Sequence, residues 1–127
     1  MRGAIVGVAI AAPLVLAVAF LAITPYRTIS VHRFIDDGGT YTLELGGYGS
    51  RLHVRLSSSY GYMGVRVVAD GKVIYHDPRT YEASLERNLG FGYHVIHVII
   101  ENPPGYPTWP WTGGRILVAG LVGYYLL

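Results

Sequence analysis

The most constraining feature of this chain is a run of 21 residues, Gly3 to Ile23, without a single charged side chain. A hydrocarbon core about 30 Å thick is crossed by about 20 apolar residues at 1.5 Å each. The run therefore predicts a transmembrane anchor helix within residues 1–26. Pro13 stands in its middle, which a spanning helix tolerates better than a soluble one. Tyr26 follows at the level where amphipathic rings favour the membrane interface. The competing reading is a cleaved signal peptide, with Arg2 as a minimal basic start and Ala17-Val18-Ala19 as a small-x-small cleavage site. The length of the run favours the retained helix. Gly3, Gly7 and Ala11 stand four apart, a candidate helix-packing row in lipid, although Gly and Ala are also simply common in such helices.

The other end is apolar as well. Ile116 to Leu127 has no charge and follows Trp109-Pro110-Trp111-Thr112-Gly113-Gly114-Arg115. Two readings fit: a short second transmembrane helix over residues 115–127, or a buried β-strand. The flanking residues favour the helix, with Trp109, Trp111 and Arg115 at one interface and Tyr124 and Tyr125 at the other. Ala119 and Gly123 would form its small-residue packing row.

Between the ends the period changes to two. Tyr41, Leu43 and Leu45 alternate with Thr40, Thr42 and Glu44; Leu52, Val54 and Leu56 alternate with Arg51, His53 and Arg55. That is the pattern of half-buried strands with one wet face. Asp70-Gly71 between two β-branched runs signals a hairpin. Tyr93 to Ile100 reads as a central strand. Thr28 to Ile35 and Tyr81 to Leu89 alternate less cleanly, and the second also has helical spacing at Tyr81, Leu85 and Leu89; its short neighbouring loops favour a strand. About seven short strands predict a small antiparallel β-sandwich over residues 27–102. A Pro/Trp-rich connector follows over residues 103–114, stiffened by four prolines between Asn102 and Trp111.

Composition narrows the chemistry. Only 14% of the 127 residues are charged and 51% are apolar, which excludes a disordered chain. No cysteine is present, so disulfides, zinc–thiolate sites and thiol nucleophiles are excluded. A net charge of +2 leaves no footprint for nucleic acid. His94 and His97, three apart on a strand, point to opposite faces. His53, His76 and His94 could converge on a metal from separate strands, but nothing in their spacing requires it. Glu82 and Glu86 fall on a wet strand face, and Ser57 to Ser59 have no activating motif. Neither a catalytic, a cofactor nor a metal site is expected. The loop from Ser57 to Gly64 is either a plain turn or a partner-binding loop carried by Tyr60, Tyr62 and Met63. The absence of Gln and the presence of only two Asn match heat-adapted composition, while nine Arg to one Lys also fits a GC-rich genome.

Gly92-Tyr93-His94-Val95-Ile96-His97-Val98-Ile99-Ile100-Glu101-Asn102-Pro103, followed by an apolar segment, resembles the small membrane-anchored GOLD-type β-sandwich proteins. The resemblance implies a binding or assembly sandwich held at a membrane. Met-Arg-Gly followed by a long apolar stretch and a β domain is also similar to archaeal type IV pilins, which implies a filament subunit with its apolar helix in the filament core. The expectation is a non-catalytic accessory or scaffold subunit in the cell membrane, with an extracytoplasmic β domain. Its partners would be membrane lipid and other protein subunits.

Overall fold

The structure, a computed structural model, describes residues 25–127. The proposed anchor run, with Gly3, Gly7 and Ala11, lies outside the described residues. Six strands follow one another: β1 (Arg27–Ile35), β2 (Thr40–Ser59), β3 (Met63–Ala69), β4 (Lys72–Thr80), β5 (Glu82–Glu101) and β6 (Ile116–Tyr125). A 3-10 turn at Pro110–Thr112 interrupts the connector before β6. All pairings are antiparallel, in the order β1-β6-β2-β5-β3-β4.

Strands β2 and β5 each run for 20 residues and hold the sheet's two halves together. The expected strands around Leu43 and Val54 are one element, and so are those around Leu85 and Val98. The first half of β2 pairs with the second half of β5, which also carries β3 and then β4. The second half of β2 pairs with the first half of β5 and, on its other side, with β6 and then β1. The sheet folds over between these halves. Gly49 pairs with Gly92, but the next pair is Arg51 with Asn88. Ser50 on one strand and Leu89, Gly90 and Phe91 on the other therefore bulge out of register.

An odd number of extra residues reverses which face the next side chain meets. Leu43 and Leu45 before the bulge, and Leu52, Val54 and Leu56 after it, thus all enter one core. On β5, Ala83 and Leu85 change phase to Ile96, Val98 and Ile100 in the same way. Gly49 is required at the fold: an added Cβ would lie 2.5 Å from the Tyr124 ring and 2.8 Å from the Tyr125 carbonyl.

The C-terminal segment corrects the sequence reading. Ile116–Tyr125 is strand β6, paired with β1 on one side and β2 on the other, instead of a second transmembrane helix. Ile116, Val118, Val122 and Tyr124 are fully buried, and strand neighbours satisfy the backbone groups that a helix would satisfy internally. Ala119 and Gly123 are accordingly ladder positions, opposite His32 and Thr28 on β1, and do not form a helix-packing row. The β domain extends past residue 102 to Tyr125. Among the described residues, no helix is long and apolar enough to cross a membrane.

Candidate functional site

The path of the strands creates two poles. β1 runs from Arg27 to Ile35, about 26 Å at strand rise. Its start lies at the folded pole, with Tyr48, the β3–β4 turn and the end of β6. Its end lies at the open pole, where the connector and the loop between β2 and β3 meet.

At the open pole the loops are tied down locally. Tyr60, at φ +75°, ends β2, and its carbonyl accepts the Trp109 amide at 2.9 Å. The Ser58 hydroxyl donates to the Gly61 carbonyl at 2.6 Å. The connector turns at Pro110–Thr112, where the Thr112 amide and hydroxyl both donate to the Trp109 carbonyl. Arg115 then closes the turn by donating from its amide and its Nε to the Thr112 carbonyl. Buried Asn102 joins the ends of three elements, donating to the Ile35 carbonyl at 3.0 Å and the Gly114 carbonyl at 2.7 Å.

These ties hold a set of aromatic side chains at the surface. The Tyr60 ring lies parallel to Phe34 at 6.5 Å and edge-on to Trp109 at 5.9 Å and Trp111 at 6.5 Å. The two tryptophans meet edge to face at 4.6 Å, and the Arg115 guanidinium sits 5.4 Å from the Phe34 ring centre. A second group adjoins it: Tyr62 lies 4.2 Å from Tyr81 and 6.1 Å from Tyr106, with Arg79 over Tyr62 and Tyr106. Phe34, Trp109 and Trp111 are 50%, 53% and 68% exposed. Large rings held by hydrogen-bonded loops, yet left half in water, form an apolar patch of the kind that marks interaction surfaces.

The sequence-derived site residues divide across this geometry. Tyr60 and Tyr62 join the aromatic patch, Tyr60 half-buried and Tyr62 packed against Tyr81. Met63 does not belong with them: it is fully buried in the core, because it begins β3 on the inward phase. Trp109, Trp111 and Arg115 join Tyr60, whereas Tyr26, Tyr124 and Tyr125 lie at the other pole. Tyr124 is fully buried, its hydroxyl donating to the Gly47 carbonyl at 2.9 Å, and burial pushes its phenol up to about 12. Phe34, Tyr81, Tyr106 and Arg79 are site residues that the sequence reading does not single out. Phe34 falls on the outward phase of β1, a signal readable in the sequence; the meeting of Arg79 on β4 with Tyr81 and Tyr106 is not.

The histidines do not converge. Among the described residues, no group of three or more His, Asp or Glu side chains could hold a metal ion. His94 instead bridges Asp70 Oδ2 and the Gly90 carbonyl, each at 2.6 Å. Two acceptors on one ring favour the imidazolium, so the Asp70 bond first, and then the Gly90 carbonyl, raise the His94 pKa; the same bond lowers that of Asp70. A cleft of about 390 Å³ crosses the outer sheet face between Arg55, Ser57, Glu82, Ser84 and Leu121, floored by Ala119 and Gly120.

No protein-family model matches this chain, and no curated protein matches it. Solved structures with a similar chain trace include an acetyl xylan esterase from the rumen bacterium Butyrivibrio proteoclasticus (11% identity, TM-score 0.46, 80% of this chain and 33% of that one). A family two carbohydrate esterase from Cellvibrio japonicus is similar at 19% identity and TM-score 0.39, over 78% of this chain and 33% of that one. The carbohydrate-binding module CBM36, solved in complex with calcium and xylotriose, is similar at 9% identity and TM-score 0.34, over 77% of this chain and 87% of that one. The chain matches about a third of the length of each of the two esterases.

Proposed function

We propose that this protein is a non-catalytic, membrane-anchored accessory subunit whose β-sandwich docks a protein partner through its open pole on the extracytoplasmic side of the cell membrane. The observation that carries this reading is the exposed cluster of Phe34, Tyr60, Trp109 and Trp111, bordered by Arg115. Trp, Tyr and Arg are the residue types that dominate binding hot spots, because they bring large contact area at small entropy cost. The anchor follows from the uncharged run that ends at Ile23. Because that run joins the folded pole, an anchored chain holds the aromatic patch on the side away from the bilayer.

A photo-crosslinking side chain in place of Trp111, in the full chain within its own membranes, tests the reading. A discrete adduct to one identified protein is expected. Trp109→Ala should weaken that interaction about thirtyfold, the effect of losing a hot-spot residue worth about 2 kcal/mol. Equal yields with and without Trp109→Ala would refute the docking role. N-terminal sequencing separates this reading from the filament subunit: an intact Met1 supports the anchored subunit, a mature start near Ala4 the filament.

A further inference from the structure

The folded pole carries a second set of exposed rings that the docking role does not use. Tyr48 and Tyr93 are cross-strand partners on β2 and β5, their rings edge to face at 5.4 Å and 62% and 60% exposed. Phe91, one of the bulged residues of β5, is 66% exposed. Tyr26 lies beside Tyr48, 45% exposed, its hydroxyl donating to the Tyr48 carbonyl at 2.5 Å. Phe91 is set there by the backbone, since bulges re-aim side chains. This bulge is held on both sides: the Gly90 amide donates to Asn88 Oδ1 at 2.9 Å, and the Gly90 carbonyl is bonded to His94.

What covers these rings is indicated by the chain itself. The 24 residues before Pro25 contain the uncharged run, and they join the sandwich directly at this pole, where the Tyr26 amide donates to the Tyr124 carbonyl at 3.1 Å. Only Thr24 and Pro25 separate Ile23 from Tyr26, so a spanning run leaves no slack to lift the pole far from the bilayer. Cationic and aromatic side chains are the ones that favour the headgroup layer. Arg27 is adjacent, donating to the Gly46 carbonyl. Arg51 lies against Tyr125, 4.3 Å from its ring centre. The one carboxylate of the β3–β4 turn, Asp70, is paired with His94.

We propose that the folded pole rests in the headgroup layer of the bilayer, with Tyr26, Tyr48, Phe91 and Tyr93 as its interfacial contacts. This rests on the anchored reading above. It predicts that the sandwich is held against the membrane, not swung freely from it, with its tryptophans about 26 Å away at the open pole.

The native fluorophores make the test direct. The full chain is reconstituted in phosphatidylcholine vesicles whose acyl chains are brominated near the carbonyl end, and flotation reports whether it is anchored. Trp109 and Trp111 should keep their fluorescence. In a Trp109→Phe/Trp111→Phe background, Phe91→Trp should lose at least about half of its emission, as an interfacial ring would. An unquenched Phe91→Trp in chains that float overturns the interfacial contact and leaves the anchor standing. Chains that fail to float overturn both readings. Quenching of the native tryptophans in floating chains overturns the orientation.

Discussion

The two poles of this sandwich are both rich in aromatic side chains, yet they are built by different means. At the folded pole the rings are set by sheet backbone: a register-shifting bulge, close-packed glycine and a histidine bonded on both nitrogens. At the open pole they are set by loops latched to one another through Asn102, Thr112 and the Trp109–Tyr60 hydrogen bond. Continuous strands link the first pole to the whole core, so a defect there propagates through both halves of the sheet. The loops of the second pole can yield locally. Two similar aromatic surfaces therefore differ in how much of the fold depends on them.

The largest expected effect tests that difference at matched substitutions. Gly49→Ala at the folded pole drives a methyl into the Tyr124 ring and the Tyr125 backbone. It should cost about 3 kcal/mol, near the upper end for overpacking, measured by denaturant unfolding. Gly61→Ala at the open pole meets the Ile116 and Thr108 side-chain methyls first, at 2.8 and 2.9 Å, and should cost less. Equal losses would break the contrast.

Next in size is Asn102→Ala. It strips a buried amide from the Ile35 and Gly114 carbonyls and should cost about 2 kcal/mol through unsatisfied acceptors. The loss should come with looser packing of the connector, read as a red shift of Trp109 and Trp111 emission. An unchanged emission would show that the connector is held without Asn102.

The smallest effect is pH dependence at the folded pole. The His94 pKa is raised in the folded state, so its contribution is complete below the ordinary imidazole value and is lost as pH rises through the raised one. The Asp70 pKa is lowered, so its contribution is present above the ordinary carboxylate value and is lost as pH falls through the lowered one. The pair is therefore strongest in mildly acidic solution. The melting temperature should fall slightly as the pH moves to alkaline values, and His94→Gln should flatten that slope. A slope that survives His94→Gln would assign it to another group.

Much of the strand content is legible in the sequence, because alternation between wet and apolar side chains is a local signal. The bend is written there too, in a form visible only once the core is known: Leu45 and Leu52 are seven apart, an odd spacing that a register shift reconciles with one core. The segment from Ile116 to Leu127 admits both a helix and a strand in sequence, and Ile116–Tyr125 folds as the strand, because an apolar run of this length has no periodicity that separates the two. Its flanking tryptophans and tyrosines fit a membrane belt in one dimension, yet Trp111 and Tyr124 stand at opposite poles in three. Met63 reads as a loop residue and is buried, because the point where a strand begins is set by its partners, here Thr80 on β4.

The order of residues is enough to specify alternating β-strands, the lack of any cysteine with which to form a disulfide, and an uncharged leading run long enough to span a bilayer. Composition and period act locally, between neighbours in the chain. It takes long-range pairing to put β6 between β1 and β2, to fold the long strands over at Gly49, and to bring Tyr124 into the core while Tyr48 and Trp111 stand at opposite poles. Those outcomes depend on pairings between residues far apart in sequence, and no local pattern specifies which strand becomes whose neighbour.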